Sequence, residues 1–369
     1  MRQVKIGVIG CGRISSIYLR NCTETFDILD VVAVADLMPE LARQRAEEFN
    51  IPRVCTVEEL LADPEIEVVL NLTTPQSHTA LNMQALEAGK HVYTEKPFAL
   101  SREDADRVLD LARAKGLLVG CAPDTVLGAG IQTCRKLIDD GWIGTPYGAS
   151  GMVLMGNAYS GIPAHFHSYF QIGWDPLFDM APYYLTAMIT LLGAVRKVSG
   201  SVGQARREIT VTNMRSPRYG ETVPIKAPMH AVATLDFESG VIAGLQVAKE
   251  SFGYTPRFEI YGTEGILFAP DPNMFSGPIR IQRFDGALSE VPFSHGFAEN
   301  SRGIGIADMA YAIQSGRPHR ASGDLARHVI DITLGIIESS RTERHVPMVT
   351  HVERPAALPL GLQYNQLDT

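Results

Sequence analysis

Lys96 is the residue of this sequence whose type and surroundings most suggest proton transfer. It stands in the triplet Glu95-Lys96-Pro97, directly after the short apolar run at residues 91–94. Parallel sheets bind their ligands beyond the carboxyl ends of their strands, so a strand at 91–94 would aim Lys96 at a ligand crevice. A desolvated lysine there can exchange a proton with a hydroxyl group. The alternative is a solvated surface lysine, the commoner situation for this residue type.

A glycine-rich turn near the N-terminus indicates what that crevice would hold. Residues 10–15, Gly-Cys-Gly-Arg-Ile-Ser, follow an apolar strand and open a predicted helix. Gly10 permits the tight turn, and Gly12 lets the backbone approach a pyrophosphate at the helix N-terminus, where unpaired amides favour an anion. Ser15 stands where Gly or Ala is usual and is small enough for helix–strand packing. A turn that binds another ligand, or none, is the alternative. The predicted dinucleotide-binding residues here are Gly10, Gly12, Arg13 and Ile14.

Asp36 distinguishes between the two nicotinamide dinucleotides. It ends the second predicted strand, about 20 residues beyond the turn, where a carboxylate accepts hydrogen bonds from the adenosine ribose. A 2'-phosphate at this position would meet like charge, so the predicted cofactor is NAD. A desolvated Lys96 beside the positively charged nicotinamide ring should then have a depressed pKa.

Two domains are predicted from the length of 369 residues and from a change of pattern along the chain. To about residue 121, short β-branched runs alternate with helical patterns, which is typical of a parallel sheet. Beyond it come a strand at 147–155, an apolar helix at 178–192, an antiparallel meander between 197 and 293, and helices at about 304–315 and 324–340. The predicted boundaries are 1–123 for the dinucleotide-binding domain and 124–369 for the second domain. The strands predicted in the first domain are residues 5–9, 31–35, 68–72, 91–94 and 117–121.

Charge and cysteine content exclude several kinds of partner. The net charge of −8 and the pI near 5.7 disfavour nucleic acid and anionic membranes, because such a field does not attract polyanions, and a small molecule is expected instead. The five cysteines form no CxxC pair, which favours reduced thiols in the cytosol over disulfides or a zinc site. No leader-like segment or apolar run of spanning length is visible, so a cytoplasmic location is expected.

Four sequence features together resemble one family of oxidoreductases. They are the turn at 10–15, the run Ala88-Gly89-Lys90-His91-Val92, the triplet at 95–97, and Asp179 at the head of the apolar helix. Over nearly its whole length the chain resembles the glucose-fructose oxidoreductase, inositol dehydrogenase and rhizopine-catabolism (Gfo/Idh/MocA) family of sugar and polyol oxidoreductases. The resemblance implies an α/β fold in which a doubly wound parallel sheet of the Rossmann type precedes an α+β domain. That second domain has a large open, mostly antiparallel sheet, with NAD(P) bound between the two domains.

The same resemblance assigns roles to residues around Lys96. Lys96 takes the position of the family's catalytic lysine, and a cis Lys96-Pro97 peptide is typical of such enzymes. Glu95 and the loop beneath the nicotinamide are further predicted cofactor contacts. His78 in that loop could equally be a helix residue that bonds backbone groups. The loop residues are Thr73, Thr74, Pro75 and His78.

Asp179 and Tyr183 complete the predicted catalytic group. The commoner family pattern is Asp-x-Gly-x-His, with Asp and His on one helix face, whereas this chain has Asp179-Met180-Ala181-Pro182-Tyr183. A Tyr occurs at the His position in the glucose-fructose oxidoreductase branch. A phenol, with an ordinary pKa near ~10, would need a neighbour such as Lys96 to lower that pKa before it could act as a base. The alternatives are proton transfer by Lys96 with Tyr183 donating a hydrogen bond, and a Tyr183 that only packs in the core.

The segment at residues 165–175 is expected to contact the substrate. Its aromatic rings can stack on sugar C–H faces while imidazole and amide groups bond hydroxyls. A metal on His165 and His167 lacks a third ligand at a defined spacing, so none is predicted. Each of these residues could instead only pack, and Asp124 could be a turn residue. The predicted substrate contacts are Lys96, Asp124, His165, His167, Trp174, Asp179 and Tyr183.

The predicted function is hydride transfer between NAD and a secondary alcohol or ketone of a sugar, polyol or cyclitol. Lys96 and Tyr183 would handle the hydroxyl proton, and Asp179 would orient the substrate or Lys96. A sugar–sugar transhydrogenase with tightly held NAD, an NAD-dependent glycosidase and a non-catalytic dinucleotide sensor remain alternatives. The resemblance also implies a homodimer or homotetramer formed through the open sheet.

Overall fold

The computed structural model describes residues 1–156, 171–212, 214, 216, 218–284, 286–362 and 365–368. In its N-terminal part, strands and helices alternate as predicted. The strands are β1 (Val4–Ile9), β2 (Leu29–Ala35), β3 (Val68–Asn71), β4 (His91–Thr94) and β5 (Val119–Cys121). The helices are α1 (Ser15–Glu24), α2 (Pro39–Phe49), α3 (Val57–Ala62), α4 (Pro75–Glu87) and α5 (Arg102–Lys115).

The first sheet is parallel, and its described strands lie in the order β2-β1-β3-β4-β5. The strand order reverses between β1 and β3, which is where doubly wound sheets form their ligand crevice. Ile9 pairs with Asn71, and Asn71 pairs with Thr94. Because these three residues end β1, β3 and β4, the segments that follow them begin side by side. The register therefore brings the glycine-rich turn and the Lys96 triplet to one edge of the sheet.

Local signals fix several helix ends around this edge. Pro39 begins α2, where a proline is tolerated because its missing N–H would have no helical partner. Ser101 caps α5, since its hydroxyl accepts a hydrogen bond from the Asp104 N–H at 3.1 Å. Gly116 ends α5 in the left-handed conformation with φ of 66°.

The second part of the chain is built on a large mixed sheet. The strands of this second part are β6 (Pro146–Gly156), β7 (Val195–Gly203), β8 (Glu208–Thr210), β9 (Thr222–Pro224), β10 (His230–Phe237), β11 (Ile242–Ser251), β12 (Tyr254–Gly262), β13 (Gly265–Ala269), β14 (Arg280–Arg283), β15 (Leu288–Glu290) and β16 (Val346–Pro347). Of these, β8 and β9 pair only with each other, in a separate two-stranded sheet. Its helices are α6 (Ala129–Asp139), α7 (Pro176–Asp179), α8 (Ala181–Leu192), α9 (Ile304–Ser315) and α10 (Gly323–Thr342).

Nine of the described strands form this sheet in the order β15-β14-β13-β12-β6-β11-β10-β7-β16. Only β6 and β11 pair in parallel among them, which confirms the prediction of a mostly antiparallel sheet. Side chains of β10 and β11 alternate between buried and exposed. Their buried face packs on helices, as shown by Gly151 of β6, which lies directly under Met188 and Tyr184 of α8. The exposed face confirms that the sheet is open on one side.

The apolar helix predicted at 178–192 is two helices, α7 and α8, and that prediction is wrong in this respect. Pro182 lacks the N–H that would continue the helix, and its ring would collide with the carbonyl four residues earlier. Asp175 caps α7 by accepting hydrogen bonds from the Leu177 and Phe178 N–H groups. Asp179 consequently ends a short helix instead of beginning a long one.

The C-terminal helices return to the first domain. Arg102 of α5 donates through Nε to Asp331 of α10 at 2.6 Å, and Arg327 of α10 donates to Asp106 of α5 at 2.6 Å. Residue Ser322 forms a bridge with Gly120 of β5, so the edge of the first sheet is covered. Within the described residues, no helix is both long and apolar enough to cross a lipid bilayer.

Gly10 provides a test of the turn between β1 and α1. Its φ is +101°, and an added Cβ would lie 2.7 Å from the backbone carbon of Leu72, whereas one at Gly116 would meet nothing within 4 Å. Gly10→Ala should lower the free energy of unfolding by about 2 to 4 kcal/mol through strain and overpacking, and Gly116→Ala by about 1 kcal/mol. Denaturant titrations of both variants measure the difference. Equal losses would show that the contact with Leu72 contributes nothing.

Candidate active site

The glycine-rich turn is shaped to receive a dinucleotide. Gly10 lies against the end of β3, while an added Cβ at Gly12 would meet nothing within 4 Å. The N-cap residue of α1, Ile14, makes no side-chain capping hydrogen bond. The Ser15 N–H donates to the Gly12 carbonyl at 3.2 Å, and the following first-turn amides remain available to an anion. Arg13 is exposed beside them. The turn therefore offers open backbone at the positively polarised end of a helix.

Ser15 does more than fit into limited space. It is fully buried, its hydroxyl donates to the Gly12 carbonyl at 2.7 Å, and Arg45 of α2 donates through Nε to the same hydroxyl at 3.0 Å. Gly or Ala at this position could not make these bonds. The departure from the usual motif thus ties the turn to α2.

Asp36 is held at the end of β2 by the turn itself. Its Oδ2 accepts a hydrogen bond from the Cys11 N–H at 2.7 Å, and its Oδ1 accepts one from the Met38 N–H at 2.8 Å. A carboxylate has about four acceptor positions, so two remain for ribose hydroxyls. The residues present fit an NAD molecule whose pyrophosphate lies on α1 and whose adenosine ribose lies against Asp36.

The loop after β3 is held by hydrogen bonds with two buried side chains, Asn71 and His78. Asn71 accepts hydrogen bonds through Oδ1 from the Thr73 N–H at 3.2 Å and the Thr73 hydroxyl at 2.7 Å. The fully buried ring of His78 lies 2.8 Å from the Pro97 carbonyl and 3.1 Å from the Thr73 carbonyl, and burial lowers its pKa. His78 thus links the loops after β3 and β4. This agrees with the alternative in which His78 bonds backbone groups instead of contacting the cofactor. Thr74 occupies the N-cap position of the next helix, α4, which begins with Pro75, but makes no side-chain capping hydrogen bond.

Glu95 anchors the Lys96 triplet to α1. Its Oε1 accepts a hydrogen bond from the Tyr18 hydroxyl at 2.8 Å, and its Oε2 accepts one from the Lys96 N–H at 2.9 Å. The peptide between Lys96 and Pro97 is cis, as predicted. A direct contact between Glu95 and the cofactor remains a prediction, while the structure gives this carboxylate the role of holding the backbone of Lys96.

Lys96 and a second lysine share the carboxylate of Asp179. Lys96 Nζ lies 2.5 Å from Asp179 Oδ1 and donates to the Asp179 carbonyl at 3.0 Å. Lys249 Nζ lies 2.5 Å from Asp179 Oδ2 and also donates to the Trp174 carbonyl. The Lys249 side chain is only 1% exposed. The site therefore contains a buried lysine–carboxylate–lysine cluster, Lys96–Asp179–Lys249.

The charges of this cluster determine how Lys96 and Asp179 titrate. Burial alone would lower the pKa of Lys96, but Asp179, together with Tyr183 and Glu95, outweighs it and raises that pKa above the ordinary value. In the protein without cofactor the Lys96 pKa is therefore raised, whereas the depressed pKa predicted beside a bound nicotinamide ring stays a prediction. Burial alone would likewise raise the pKa of Asp179, yet Lys249 and Lys96 hold it well below its usual range. Asp179 is therefore a permanent anion.

Tyr183 lies beside the cluster. Lys96 Nζ is 5.4 Å from the centroid of its ring, and the positive charge of Arg302 acts on its phenol. Burial raises the pKa of Tyr183, and Lys96 and Arg302 do not reverse that shift. A Tyr183 pKa lowered by Lys96, which is the condition for this phenol to act as a base near neutral pH, is therefore not found in the protein without cofactor. A neutral phenol can donate a hydrogen bond, which was the alternative.

The structure does not bring all the predicted substrate contacts together. His165 and His167 lie outside the described residues. Trp174 is placed next to the cluster through its carbonyl, which accepts from Lys249. Asp124 is 1% exposed, and its Oδ2 accepts hydrogen bonds from the Gly303 N–H at 2.8 Å and the Gly305 N–H at 3.0 Å. Asp124 therefore fixes the start of α9, as a positioning group instead of an exposed substrate contact.

Two residues of the site were missed in the sequence. Lys249 continues the inward-facing series Leu245, Val247 of β11, so a charged residue at a predicted core position was the available signal. Arg302 lies between regular elements, where it donates to Asn273 Oδ1 at 2.8 Å and to Asn300 Oδ1 at 2.7 Å. It has no comparable local signal. The described residues include no cluster of three or more His, Cys, Asp or Glu that could hold a metal ion.

Two family models match the chain along the regions just described. The oxidoreductase family model with an NAD-binding Rossmann fold matches residues 4–122, and the GFO/IDH/MocA C-terminal domain model matches residues 131–268. The chain is an NAD-binding oxidoreductase, and it belongs to the Gfo/Idh/MocA family.

Known relatives and solved structures agree with this assignment. The chain is 22% identical to myo-inositol 2-dehydrogenase of Thermotoga maritima over 94% of its own length and 98% of the relative. It is 25% identical to scyllo-inositol 2-dehydrogenase (NAD(+)) of Bacillus subtilis over 72% of its length and 73% of the relative. Levoglucosan dehydrogenase in complex with NADH and L-sorbose superposes with a TM-score of 0.82, at 21% identity, covering 95% of this chain and all of the other. The structural likeness shows a shared fold.

Asp124 gives a prediction about stability and pH. Burial raises its pKa from 3.8 to about 6, against the lowering effect of the two glycine amides. The folded state therefore binds this proton more tightly than the unfolded state, and the resulting stability is present below pH 3.8 and lost as the pH rises through 6. Asp124→Asn keeps an acceptor and removes the titration.

Relative to wild type, the free energy of unfolding of the Asp124→Asn variant should therefore increase by about 1 to 3 kcal/mol between pH 4 and pH 7. Urea titrations of both proteins at the two pH values measure this. A constant difference at both pH values, combined with a raised KM for substrate, would return Asp124 to the list of substrate contacts.

Proposed function

We propose that this protein is an NAD-dependent dehydrogenase that acts on a secondary alcohol, or the corresponding ketone, of a sugar, polyol or cyclitol. The observation that carries the proposal is the position of Lys96, which is held by Asp179 at the same sheet edge as the dinucleotide turn. A lysine ammonium at that edge can exchange a proton with a hydroxyl of a bound substrate. The two relatives named above are inositol 2-dehydrogenases, which supports an alcohol of this class.

Each residue of the site has a distinct task in this proposal. NAD, when bound on the turn and Asp36, supplies the hydride acceptor or donor. Lys96 gives its proton to the substrate oxygen during carbonyl reduction and takes one from the hydroxyl during oxidation. Asp179 keeps the Lys96 ammonium aimed and charged, while Tyr183 donates a hydrogen bond to the same substrate oxygen.

The remaining predictions about partners and location belong to the same proposal. The open face of the large sheet exposes apolar residues in its centre, with Val232 at 51% and Ile242 at 57% exposure. Such a face supports association of two or four copies of the chain. A cytoplasmic location is proposed from the cysteine usage alone.

Asp36 should set the preference for NAD. Asp36→Ser removes the charge that repels a 2'-phosphate and loses a ribose acceptor, so NAD affinity should fall about 10-fold and the ratio of NAD to NADP affinity should narrow. Cofactor titrations followed by protein fluorescence measure both affinities. Asp110→Ser, the same substitution at an exposed aspartate of α5, is the control and should leave the ratio unchanged. Unchanged affinities in Asp36→Ser would remove the ribose assignment.

A screen of pentoses, hexoses and inositols with NAD, followed by NADH absorbance from pH 7 to pH 10, tests the proposed activity. Wild type should turn over at least one member of the panel. Lys96→Ala should lower kcat/KM by about 10²- to 10⁴-fold, because it removes the proton-transfer group, with NAD affinity retained. Lys115→Ala, an exposed lysine on α5, should behave like wild type. Full turnover in Lys96→Ala, or tight NAD binding with no turnover of any alcohol, would overturn the proposal.

A further inference from the structure

The second lysine of the cluster has no role in the proposal above. We infer that Lys249 is a positioning residue for proton transfer: by sharing the Asp179 carboxylate, it limits how strongly that carboxylate makes Lys96 hold its proton. The inference rests on the proposed function for its catalytic consequence, but its electrostatic content concerns Lys96 and can be measured without a substrate.

The geometry divides Asp179 between the two lysines. Oδ1 faces Lys96 Nζ and Oδ2 faces Lys249 Nζ, both at 2.5 Å. The Lys249 side chain is almost completely buried, so little water screens its charge. The two ammonium groups therefore compete for one anion and repel each other across it, which favours loss of the Lys96 proton.

The other groups around Lys96 make this competition important. Glu95 lies on the same strand end and Tyr183 faces the ammonium, and both favour the charged lysine as Asp179 does. Arg302 acts electrostatically on the Tyr183 phenol and Lys249 on Asp175, while His78 and Cys121 are two further titratable groups that interact with Lys96. Without Lys249, the Asp179 carboxylate would no longer be shared and would act on Lys96 together with the Glu95 carboxylate. The Lys96 pKa, already raised, would rise further and reduce the neutral form that a base needs.

Lys249 also fixes the orientation of Asp179. Its Nζ donates to the Trp174 carbonyl, just before the turn that Asp175 caps at the start of α7. The lysine therefore ties Asp179 and the beginning of α7 to β11 of the large sheet. If Lys249 had only a structural role, it would need only to bond the Asp179 carboxylate and the Trp174 carbonyl. The inference requires in addition that the charge of Lys249 act on Lys96.

Competitive acetylation of the folded protein with acetic anhydride, quantified by mass spectrometry, tests the inference. At a fixed pH between 8 and 9.5, well below the Lys96 pKa, the rate at Lys96 relative to an exposed reference lysine is proportional to its neutral fraction. Lys249→Met should lower that rate about 10-fold, which corresponds to a rise of about one unit in the Lys96 pKa. The kcat/KM for alcohol oxidation should fall by a similar factor at the same pH.

Lys90→Met is the matched control. Lys90 is also a buried lysine whose Nζ donates to a backbone carbonyl, that of Asp63, but it lies at the opposite end of β4. It should leave Lys96 acetylation unchanged. Asp179→Asn is the second variant, in which the shared anion is removed, and it should raise Lys96 acetylation at least 10-fold. Circular dichroism confirms that each variant is folded.

The outcomes separate the inference from the proposed function. If Lys249→Met is folded and its Lys96 acetylation rate is unchanged, the inference is overturned even if the enzyme is active. If Lys249→Met does not fold, an unchanged Lys96 acetylation rate in Asp179→Asn overturns the inference. Loss of turnover in Lys249→Met with an unchanged Lys96 rate would also overturn it, since that pattern belongs to a structural role. Full activity in Lys96→Ala, by contrast, would remove the proposed function and leave the electrostatic result intact.

Discussion

The ion pair between Lys96 and Asp179 is the contact on which the site depends, because it joins the two domains at the point of chemistry. Lys96 follows β4 of the first sheet, and Asp179 ends α7 in the second domain. A charge pair that is largely withdrawn from water stabilises only if its geometry and its hydrogen bonds are good. Removal of Asp179 would leave two ammonium groups without their shared carboxylate, whereas removal of Lys96 would leave Asp179 paired with Lys249. The rest of the structure provides that geometry from both sides.

In the first domain, the strand register determines where Lys96 is placed. Asn71 pairs with Ile9 and Thr94, so a shift of one residue would turn the Lys96 triplet away from the turn at Gly10. Glu95 then fixes the backbone of Lys96. On the second side, β11 supplies Lys249. The ion pairs between α5 and α10 hold the two halves against each other, away from the crevice.

The parts of this arrangement that local sequence controls were predictable. The alternation of strands and helices, the turn at Gly10 and the position of Asp36 all follow from patterns within about forty residues. The break at Pro182 was visible in the sequence, but the strong apolar periodicity around it favoured one helix. Lys249 was not found because its importance comes from a contact with Asp179, a residue about seventy positions earlier. The raised pKa of Lys96 in the protein without cofactor was not predicted for the same reason, since burial was predictable and the strength of a distant charge was not.

The tyrosine at position 183, in place of the commoner histidine, affects which side chain can accept the substrate hydroxyl proton in the proposed mechanism. An imidazole titrates near neutral pH and can serve as the base itself. The phenol of Tyr183 cannot, because burial raises its pKa despite two neighbouring cations. The Asp179 carboxylate is too weak a base, since Lys249 and Lys96 lower its pKa. The pKa of Lys96 is also raised in the protein without cofactor. In the proposed mechanism Lys96 exchanges the proton, and a second cation beside Asp179 acts in the direction that a lysine base requires.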